Sequence, residues 1–345
     1  MVKKLLLFGV VLLLLAGMGA GVLWQWWHTS APGQPGQVIT IAEGSSLSAV
    51  ARDLERAELL RWPRAWTTIA RLQGRDARIH RGEYRFDSDI TPGQLLDALV
   101  EGKVISYSVT LPEGITLAEA IGILQSQAAL KSVLDGTADA RLMALVSPHT
   151  ALEGLFFPDT YQFVRGDTDL DILRTAHRRL QSELDEAWNS RDVGLPYQSP
   201  YDALIMASIV EKETGVPAER GEIAGVFVRR LEKRMRLQTD PTVIYGLGEG
   251  FDGNLRRRHL DDEGNPYNTY RHHGLPPTPI ALAGRAALQA AVHPEAGSAL
   301  YFVAKGDGSH VFSETLEQHT AAVRQYQLKR RKDYRSSPPP EESQP

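Results

Sequence analysis

Two glutamates near the end of one predicted helix are the residues best placed for acid–base chemistry. Residues 201–215, YDALIMASIVEKETG, have a helical composition and end in a glycine shortly before a proline. At about 100° per residue, Glu213 falls within an arc of large apolar side chains, whereas Glu211 lies on another face of the helix. The arc consists of Ile205, Met206, Ile209 and Val210. The periodicity therefore directs only Glu213 toward the apolar interior.

An apolar setting gives this carboxyl group a specific chemical use. Desolvation disfavours the anion and raises a carboxyl pKa, and the negative end of the helix dipole acts in the same direction. Cleavage of a glycosidic bond requires an acid that is protonated near neutral pH, because the leaving oxygen must receive a proton. The alternative is a structural glutamate that pairs with Lys212, Arg220 or another basic group.

Other polar and aromatic residues are candidates for contacts with a sugar substrate. They are Glu153, Asp159, Tyr161, Gln238, Thr239, Asp240, Tyr267 and Asn268. Residues 238–240 offer an amide, a hydroxyl and a carboxyl group just before a proline that favours extended backbone. These groups suit sugar hydroxyl and N-acetyl groups, although an Asx-type turn capped by Asp240 explains the same residues equally well.

Composition excludes several other classes of chemistry. The net charge of −4 provides no basic excess for nucleic acid, and the absence of cysteine removes disulfides, thiol nucleophiles and cysteine-ligated metals. The histidines lie on separate segments without metal-binding spacing, and neither a G-x-S-x-G elbow nor a P-loop occurs. We therefore expect catalysis without a metal or other cofactor.

Several long blocks occur in a characteristic order along the chain. They are Glu153-Gly154, Phe157–Tyr161, Ala207–Thr214, Arg236–Gly246, Tyr267–Tyr270, Gly274–Pro277 and Ala290–Pro294. These blocks resemble the YceG-like family of endolytic murein transglycosylases, and the resemblance extends from the N-terminus to about residue 330. It implies that Glu213 is catalytic, the residue that the helical periodicity selects independently. It also implies cleavage within nascent peptidoglycan strands, near cell-wall synthases such as penicillin-binding proteins.

The first residues predict a membrane anchor. An uncharged, mostly apolar run covers residues 5–24, and twenty helical residues span about 30 Å, the thickness of the hydrocarbon layer of a bilayer. Lys3 and Lys4 predict a cytoplasmic N-terminus, and Trp24, Trp26 and Trp27 suit the opposite interface. We expect a single-pass inner-membrane protein with a periplasmic body, the alternative being a cleaved signal peptide.

The remaining chain predicts an α+β protein with a LysM-like α/β subdomain followed by a mixed α+β catalytic domain. Residues 38–54 and 108–124 both read as a strand, a Glu-Gly turn and a helix capped by Ser46 or Thr116, an opening similar to that of LysM modules. A plain strand–turn–helix scaffold is the alternative. The predicted segments are a cytoplasmic N-terminus at 1–4, a transmembrane helix at 5–27, a linker at 28–37, the LysM-like subdomain at 38–110, a connecting helical subdomain at 111–200, the catalytic domain at 201–330 and a disordered tail at 331–345.

Three functions remain open from the sequence. A lytic transglycosylase needs one carboxyl group to cleave the bond between N-acetylmuramic acid and N-acetylglucosamine and to form a 1,6-anhydro ring. A hydrolase needs a second carboxylate, for which Asp240, Asp159 and Glu153 are available. A non-catalytic, membrane-tethered peptidoglycan-binding adaptor that recruits synthases is the third. Polar motifs cluster around one glutamate on the apolar face of its helix, which favours an enzyme over an adaptor.

Overall fold

The structure, a computed structural model of the 345-residue chain, describes residues 2–30, 36–86 and 89–327. Part of the predicted linker at 28–37 and all of the predicted tail at 331–345 lie outside the described residues. Helices and short strands alternate, which confirms the mixed α+β class. The chain divides into two compact units. The first comprises Met1–Ser108, Ala128–Lys131 and Gln162–Asp167, and the second Val109–Gln127, Ser132–Tyr161 and Thr168–Pro345.

The first unit contains a strand–helix–helix–strand arrangement that follows an N-terminal helix. Its elements are α1 (Val2–Trp27), β1 (Gln37–Ile41), α2 (Leu47–Arg56), α3 (Pro63–Leu72), β2 (Gly82–Phe86) and α4 (Pro92–Glu101). Strands β1 and β2 are antiparallel, with Ile39 opposite Tyr84. The side-chain hydroxyl of Ser46 caps α2, as the sequence predicts, and that of Thr91 caps α4. Trp66 lies in the core between these elements and donates a hydrogen bond from Nε1 to the Pro92 carbonyl.

Helix α1 is long and apolar enough to cross a membrane. The candidate span covers 25 residues, Lys3–Trp27; its most apolar stretch of 18 residues has a mean hydropathy of 2.5, and none of that stretch is buried against the protein. Its last turn behaves differently, because Trp26 and Trp27 pack against the hydrophobic core of the first unit. The Trp27 ring lies so close to Gly93 that a side chain at that position would collide with it.

The second unit is mainly helical. Its elements are α5 (Leu117–Gln125), α6 (Ala140–Leu145), α7 (Asp169–Ser190), α8 (Pro200–Glu213), α9 (Arg220–Glu232), α10 (Asp240–Leu247), α11 (Arg257–Leu260), α12 (Arg285–Val292), β5 (Tyr301–Ala304), β6 (His310–Ser313) and α13 (Leu316–Tyr326). Strands β3 (Ser106–Thr110) and β4 (Thr160–Val164) pair with each other and contribute residues to both units. The capping role predicted for Thr116 is confirmed. Strands β5 and β6 pair as an antiparallel hairpin, and Thr168 caps the long charged helix α7.

Helix α8 lies at the centre of the second unit. Ser199 caps its first turn and Pro200 occupies the first helical position, both favourable for starting a helix. Every residue from Ala203 to Val210 is buried, because α7, α9, α10 and α12 all pack against this helix. A helix that is apolar on all sides belongs in the core. The last turn, which carries the acidic residues, is therefore held by a rigid support.

Gly154, in the Glu153-Gly154 block, is required by the backbone and by close packing. It adopts a φ of +76°, a conformation that residues with a side chain rarely take, and a Cβ atom there would collide with Pro279. Replacing Gly154 with alanine should therefore lower the melting temperature measured by circular dichroism. The matched control is Gly122→Ala in α5, where a Cβ atom meets nothing within 4 Å.

The control should stabilise the protein slightly, by about 0.5–1 kcal/mol, because alanine is favoured over glycine inside a helix. Equal melting temperatures for the two variants would contradict the role of Gly154.

Candidate active site

Glu213 is the last residue of α8; the residue keeps some exposed surface, while its carboxyl group lies within the protein. The hydroxyl of Thr239 donates a hydrogen bond to Oε1 of Glu213. Within the described part of the chain, no other hydrogen bond to this carboxyl group is present, and Oε2 remains available. Thr239 itself is 2% exposed, so its hydroxyl hydrogen has few alternatives to this acceptor. One oxygen of the acid is thus bound by the protein and the other is not.

Two backbone segments that lie side by side hold Thr239 in this position. The Gln238 amide donates to the Thr269 carbonyl at 3.2 Å, and the Thr239 amide donates to Thr269 Oγ1 at 3.0 Å. The hydroxyl of Thr242 donates to the Thr239 carbonyl at 2.8 Å and lies 2.9 Å from Thr269 Oγ1. Thr239, Thr242 and Thr269 are all buried, so this small polar cluster is satisfied internally and fixes the hydroxyl that reaches Glu213.

Thr239 occupies the N-cap position of α10, yet its side chain makes no capping hydrogen bond. Threonine at this position ordinarily accepts a hydrogen bond from the first turn of the helix. Here the hydroxyl is directed to Glu213 instead. The preceding Gln238 is exposed and has a φ of +51°, which is unusual for a residue other than glycine. The missing cap at Thr239 and the positive φ of Gln238 both occur next to Glu213. Such departures from ordinary local structure are common at functional sites.

Burial raises the pKa of the Glu213 carboxyl group to about 7. The hydrogen bond from Thr239 opposes this effect, the negative charge of Asp240 adds to it, and the positive charge of Arg230 opposes it. Desolvation is the largest cause, as expected for a carboxyl group set against an apolar helix. Glu213 therefore carries a proton in a large fraction of molecules at neutral pH, and can both donate and accept it.

Two further side chains beside Glu213 did not follow from the sequence reasoning. Tyr270 donates a hydrogen bond from its hydroxyl to Oδ1 of Asp240 at 2.7 Å, and burial raises the pKa of that phenol. Arg230 is buried and donates to the carbonyls of Leu300 and Leu237 at 2.7 and 2.6 Å. Tyr270 belongs to the Tyr267–Tyr270 block, so its place in the sequence could have suggested a role at the site. Arg230 lies on α9 outside these blocks, and the sequence gives no comparable indication for it.

The expectation that only Glu213 points into the interior is wrong, because Glu211 is buried as well. Its side chain is 5% exposed, accepts a hydrogen bond from the Gly284 amide at 3.0 Å and pairs with Arg220 at 3.4 Å. Burial raises the pKa of Glu211, while Arg220 and the Gly284 amide lower it. Arg220 at the start of α9 and the backbone at Gly284 cover this face of the last turn, so Glu211 is not a free carboxylate. Glu211 joins structural elements, whereas Glu213 has an unused oxygen.

Glu153, Tyr245 and Tyr267 lie together in the same unit. Oε1 of Glu153 accepts hydrogen bonds from the amides of Leu117 at 2.9 Å and of Gly154 at 3.3 Å, and so binds the start of α5. Its Oε2 accepts from the Tyr245 hydroxyl at 3.3 Å, and burial raises its pKa. The rings of Tyr245 and Tyr267 are 4.8 Å apart. The structure thus places Glu153 and Tyr267 around Tyr245, which the sequence reasoning missed.

The remaining predicted substrate contacts, Asn268, Asp159 and Tyr161, have polar groups engaged within the protein. The buried Asn268 amide donates to the carbonyls of His259, Leu260 and Asp262. Asp159 is exposed and accepts from the Thr160 amide at 2.7 Å, and the buried Tyr161 hydroxyl donates to the Phe157 carbonyl at 2.6 Å. Of the predicted contact residues, Thr239 is the one that is hydrogen-bonded to Glu213, and Asp240 is near enough for its charge to act on Glu213. Contact of any of these residues with substrate stays a prediction.

A buried acid at the end of a central helix, bound by the described residues through one oxygen, is the arrangement expected of an acid–base site. The chain belongs to the YceG-like family, whose family model matches residues 39–325.

Named relatives agree with this assignment. The protein is 32% identical over 307 residues to an endolytic murein transglycosylase of Bacillus subtilis, with 84% of each chain covered. It is 27% identical over 330 residues to an endolytic murein transglycosylase of Streptococcus pneumoniae, of which 58% is covered. A crystal structure of a YceG-like protein from Listeria monocytogenes matches 84% of this chain and 99% of its own, with 29% identity and a TM-score of 0.51.

Replacing Glu213 with glutamine should stabilise the fold increasingly as the pH rises through the interval from 4.5 to about 7. The folded protein holds this proton in that interval whereas the unfolded chain has released it, so wild-type stability falls with rising pH. Glutamine removes the cost of ionising a buried carboxyl group, which is on the order of 3 kcal/mol. Urea unfolding of both proteins in detergent, at pH values below and above this interval, measures the difference. A difference independent of pH would contradict the raised pKa.

Proposed function

We propose that this protein is an endolytic lytic transglycosylase that cleaves the β-1,4 bond between N-acetylmuramic acid and N-acetylglucosamine in nascent peptidoglycan, with Glu213 as acid and base. The observation that carries the proposal is the Glu213 carboxyl group, whose pKa burial raises to about 7. The names of the Bacillus and Streptococcus relatives support the substrate class. We further propose that cleavage leaves a 1,6-anhydro-muramyl end and terminates strand elongation.

In the first step Glu213 acts as the acid. Because Thr239 donates to Oε1, that oxygen serves as the acceptor and the acidic proton belongs on Oε2. Oε2 transfers the proton to the glycosidic oxygen, the bond from that oxygen to C1 of the muramyl residue breaks, and the N-acetylglucosamine side leaves as an alcohol. The departing charge never accumulates, because the proton arrives as the bond breaks.

In the second step the resulting carboxylate acts as the base. It takes the proton from the muramyl 6-hydroxyl group while O6 forms a bond to C1, which closes the anhydro ring and restores the protonated acid. A pKa of about 7 suits both directions, since the same group must lose and regain one proton near neutral pH. The Thr239 hydroxyl stabilises the carboxylate between the two steps. No second carboxylate is needed.

A hydrolase that uses Glu213 and Asp240 is the second candidate. Asp240 is exposed, and its charge is near enough to raise the pKa of Glu213. One of its oxygens is bound by the Tyr270 hydroxyl, which leaves the other for a water molecule. In this reaction water would attack C1 and yield a reducing end. The nature of the new sugar end therefore separates the two mechanisms.

The location and partners form a further part of the proposal. Helix α1 anchors the protein in the inner membrane with its N-terminus in the cytoplasm and the body in the periplasm. The packing of Trp26 and Trp27 on the first unit favours a retained anchor over a cleaved signal peptide. A tether raises the local concentration near nascent strands and their synthases, the expected penicillin-binding partners. The strand–helix–helix–strand arrangement of β1, α2, α3 and β2 supports a LysM-like glycan-binding role.

Replacing Glu213 with glutamine should abolish the release of anhydro-muramyl products while the fold is kept. Glutamine has nearly the same shape and can still accept a hydrogen bond from Thr239, but it cannot transfer a proton. Loss of a general acid that also acts as the base should lower the rate by a factor on the order of a thousand or more. Mass spectrometry of digested glycan strands gives both the amount and the chemical form of the ends. Undiminished anhydro product from this variant would remove Glu213 from the mechanism.

The matched control is Glu211→Gln, the same substitution two residues earlier on α8. The glutamine can still accept the hydrogen bond from the Gly284 amide, so activity per folded molecule should stay near that of the wild type. Asp240→Asn distinguishes the two candidate reactions. If this variant still forms anhydro ends, the one-carboxylate reaction is supported. If the wild type forms reducing ends and the variant does not, the hydrolase is supported.

A further inference from the structure

A groove of about 630 Å³ lies in the first unit between the end of α1 and the loop that follows α2. One wall is a single face of α1 and the residues after it, formed by Val22, Gln25, Trp26, Thr29 and Ser30. The other wall contains Leu60, Arg61 and Trp62, and Glu55 and Glu58 also line the groove. The rings of Trp26 and Trp62 are 5.2 Å apart, so aromatic surface joins the two walls.

The groove coincides with the end of the apolar span. The uncharged apolar run of α1 ends at Trp24, and Gln25 is the first polar residue after it. The groove begins at Val22 and extends past Gln25, so it crosses the depth at which hydrocarbon gives way to lipid headgroups. Tryptophan rings favour that interface because they combine an apolar body with a polar tip.

The charged groups around the groove carry both signs. Arg61 also lines an adjacent depression of about 760 Å³, together with Arg52 and Arg64. Within the residues that the structure describes, these three arginines form no ion pair with a carboxylate. Glu55 and Glu58 are exposed at the same place and likewise form none. Guanidinium groups bind phosphate well, whereas exposed carboxylates attract an ammonium group.

We infer that this groove binds a phospholipid with a zwitterionic headgroup that carries a primary ammonium, such as phosphatidylethanolamine. The phosphate lies against Arg61 and the neighbouring Arg52 and Arg64, the ammonium lies against Glu55 and Glu58, and an acyl chain follows Val22 and Trp26 toward the hydrocarbon layer. A purely anionic headgroup would repel the two glutamates, because it has no ammonium group to place beside them. The inference rests on the proposed membrane anchor, and it adds a lipid-binding site separate from Glu213.

Native mass spectrometry of the full chain, released from nanodiscs that contain equal amounts of phosphatidylethanolamine, phosphatidylcholine and phosphatidylglycerol, tests the site. We expect phosphatidylethanolamine to be the retained lipid. Arg61→Gln and Glu58→Gln should each reduce its retention about threefold to fivefold, the effect of losing one partly exposed charge contact. The control is Arg85→Gln, an exposed arginine on β2 that lines neither depression.

Equal retention of the three lipids, or a preference for phosphatidylglycerol, would overturn the inference, as would equal losses in the Arg85 control. Membrane fractionation of the same variants tests the anchor independently. Wild-type protein that sediments with membranes but retains no lipid selectively means that the groove assignment fails while the anchor holds. The product analysis of Glu213→Gln does not depend on lipid retention, so the lipid site and the proposed chemistry are tested separately.

Discussion

The desolvation of one carboxyl group is the constraint on which the catalytic part of this protein depends. An ionised carboxylate loses several kcal/mol of hydration when it is buried without full compensation. Glu213 receives only one hydrogen bond from the described residues, that of Thr239, and so it retains a proton up to about pH 7. A more completely satisfied carboxylate would be a weaker acid–base catalyst. Incomplete compensation is thus the chemical property that the surrounding structure maintains.

Maintaining it requires a support that does not relax around the acid. Helix α8 is enclosed by four other helices, which prevents its last turn from moving toward water. The contrast with Glu211 shows that the neighbouring groups determine whether a buried carboxyl group keeps an unoccupied oxygen. Two residues away on the same helix, Glu211 is bound by Arg220 and by the Gly284 amide. Two glutamates of equal intrinsic acidity therefore differ in what they can still bind: the described residues occupy both oxygens of Glu211 but only one oxygen of Glu213.

Local sequence signals predicted where helices begin and which helix carries Glu213. They could not predict which side chains are buried, because burial depends on contacts between residues distant in the chain. The caps at Ser46, Thr91 and Thr116 and the helix that carries Glu213 follow from residues close in the chain. The burial of Glu211 does not, because the angular pattern of one helix cannot show that other helices cover its second face.

The candidate site shows the same division between local and distant information. The choice of Glu213 rested on one helix and on a family resemblance. Its contact with Thr239 joins residues 26 positions apart, and Thr239 is held by Thr269, a further 30 positions along the chain. No short motif predicts that such loops will lie side by side, and the buried position of Arg230 follows only from the packing of α9.

The missing cap on α10 has a consequence for how this protein can change. Thr239 uses its hydroxyl on Glu213 and forgoes the hydrogen bond that would stabilise the start of its own helix. Aspartate at position 239 would be a better cap, worth about 1 kcal/mol in other helices. It would also place a second negative charge against the acid and remove the one hydrogen-bond donor that the described residues provide to it. Under the catalytic role proposed for Glu213, stability and turnover therefore make opposite demands on position 239, and variants that gain stability there should lose enzymatic activity.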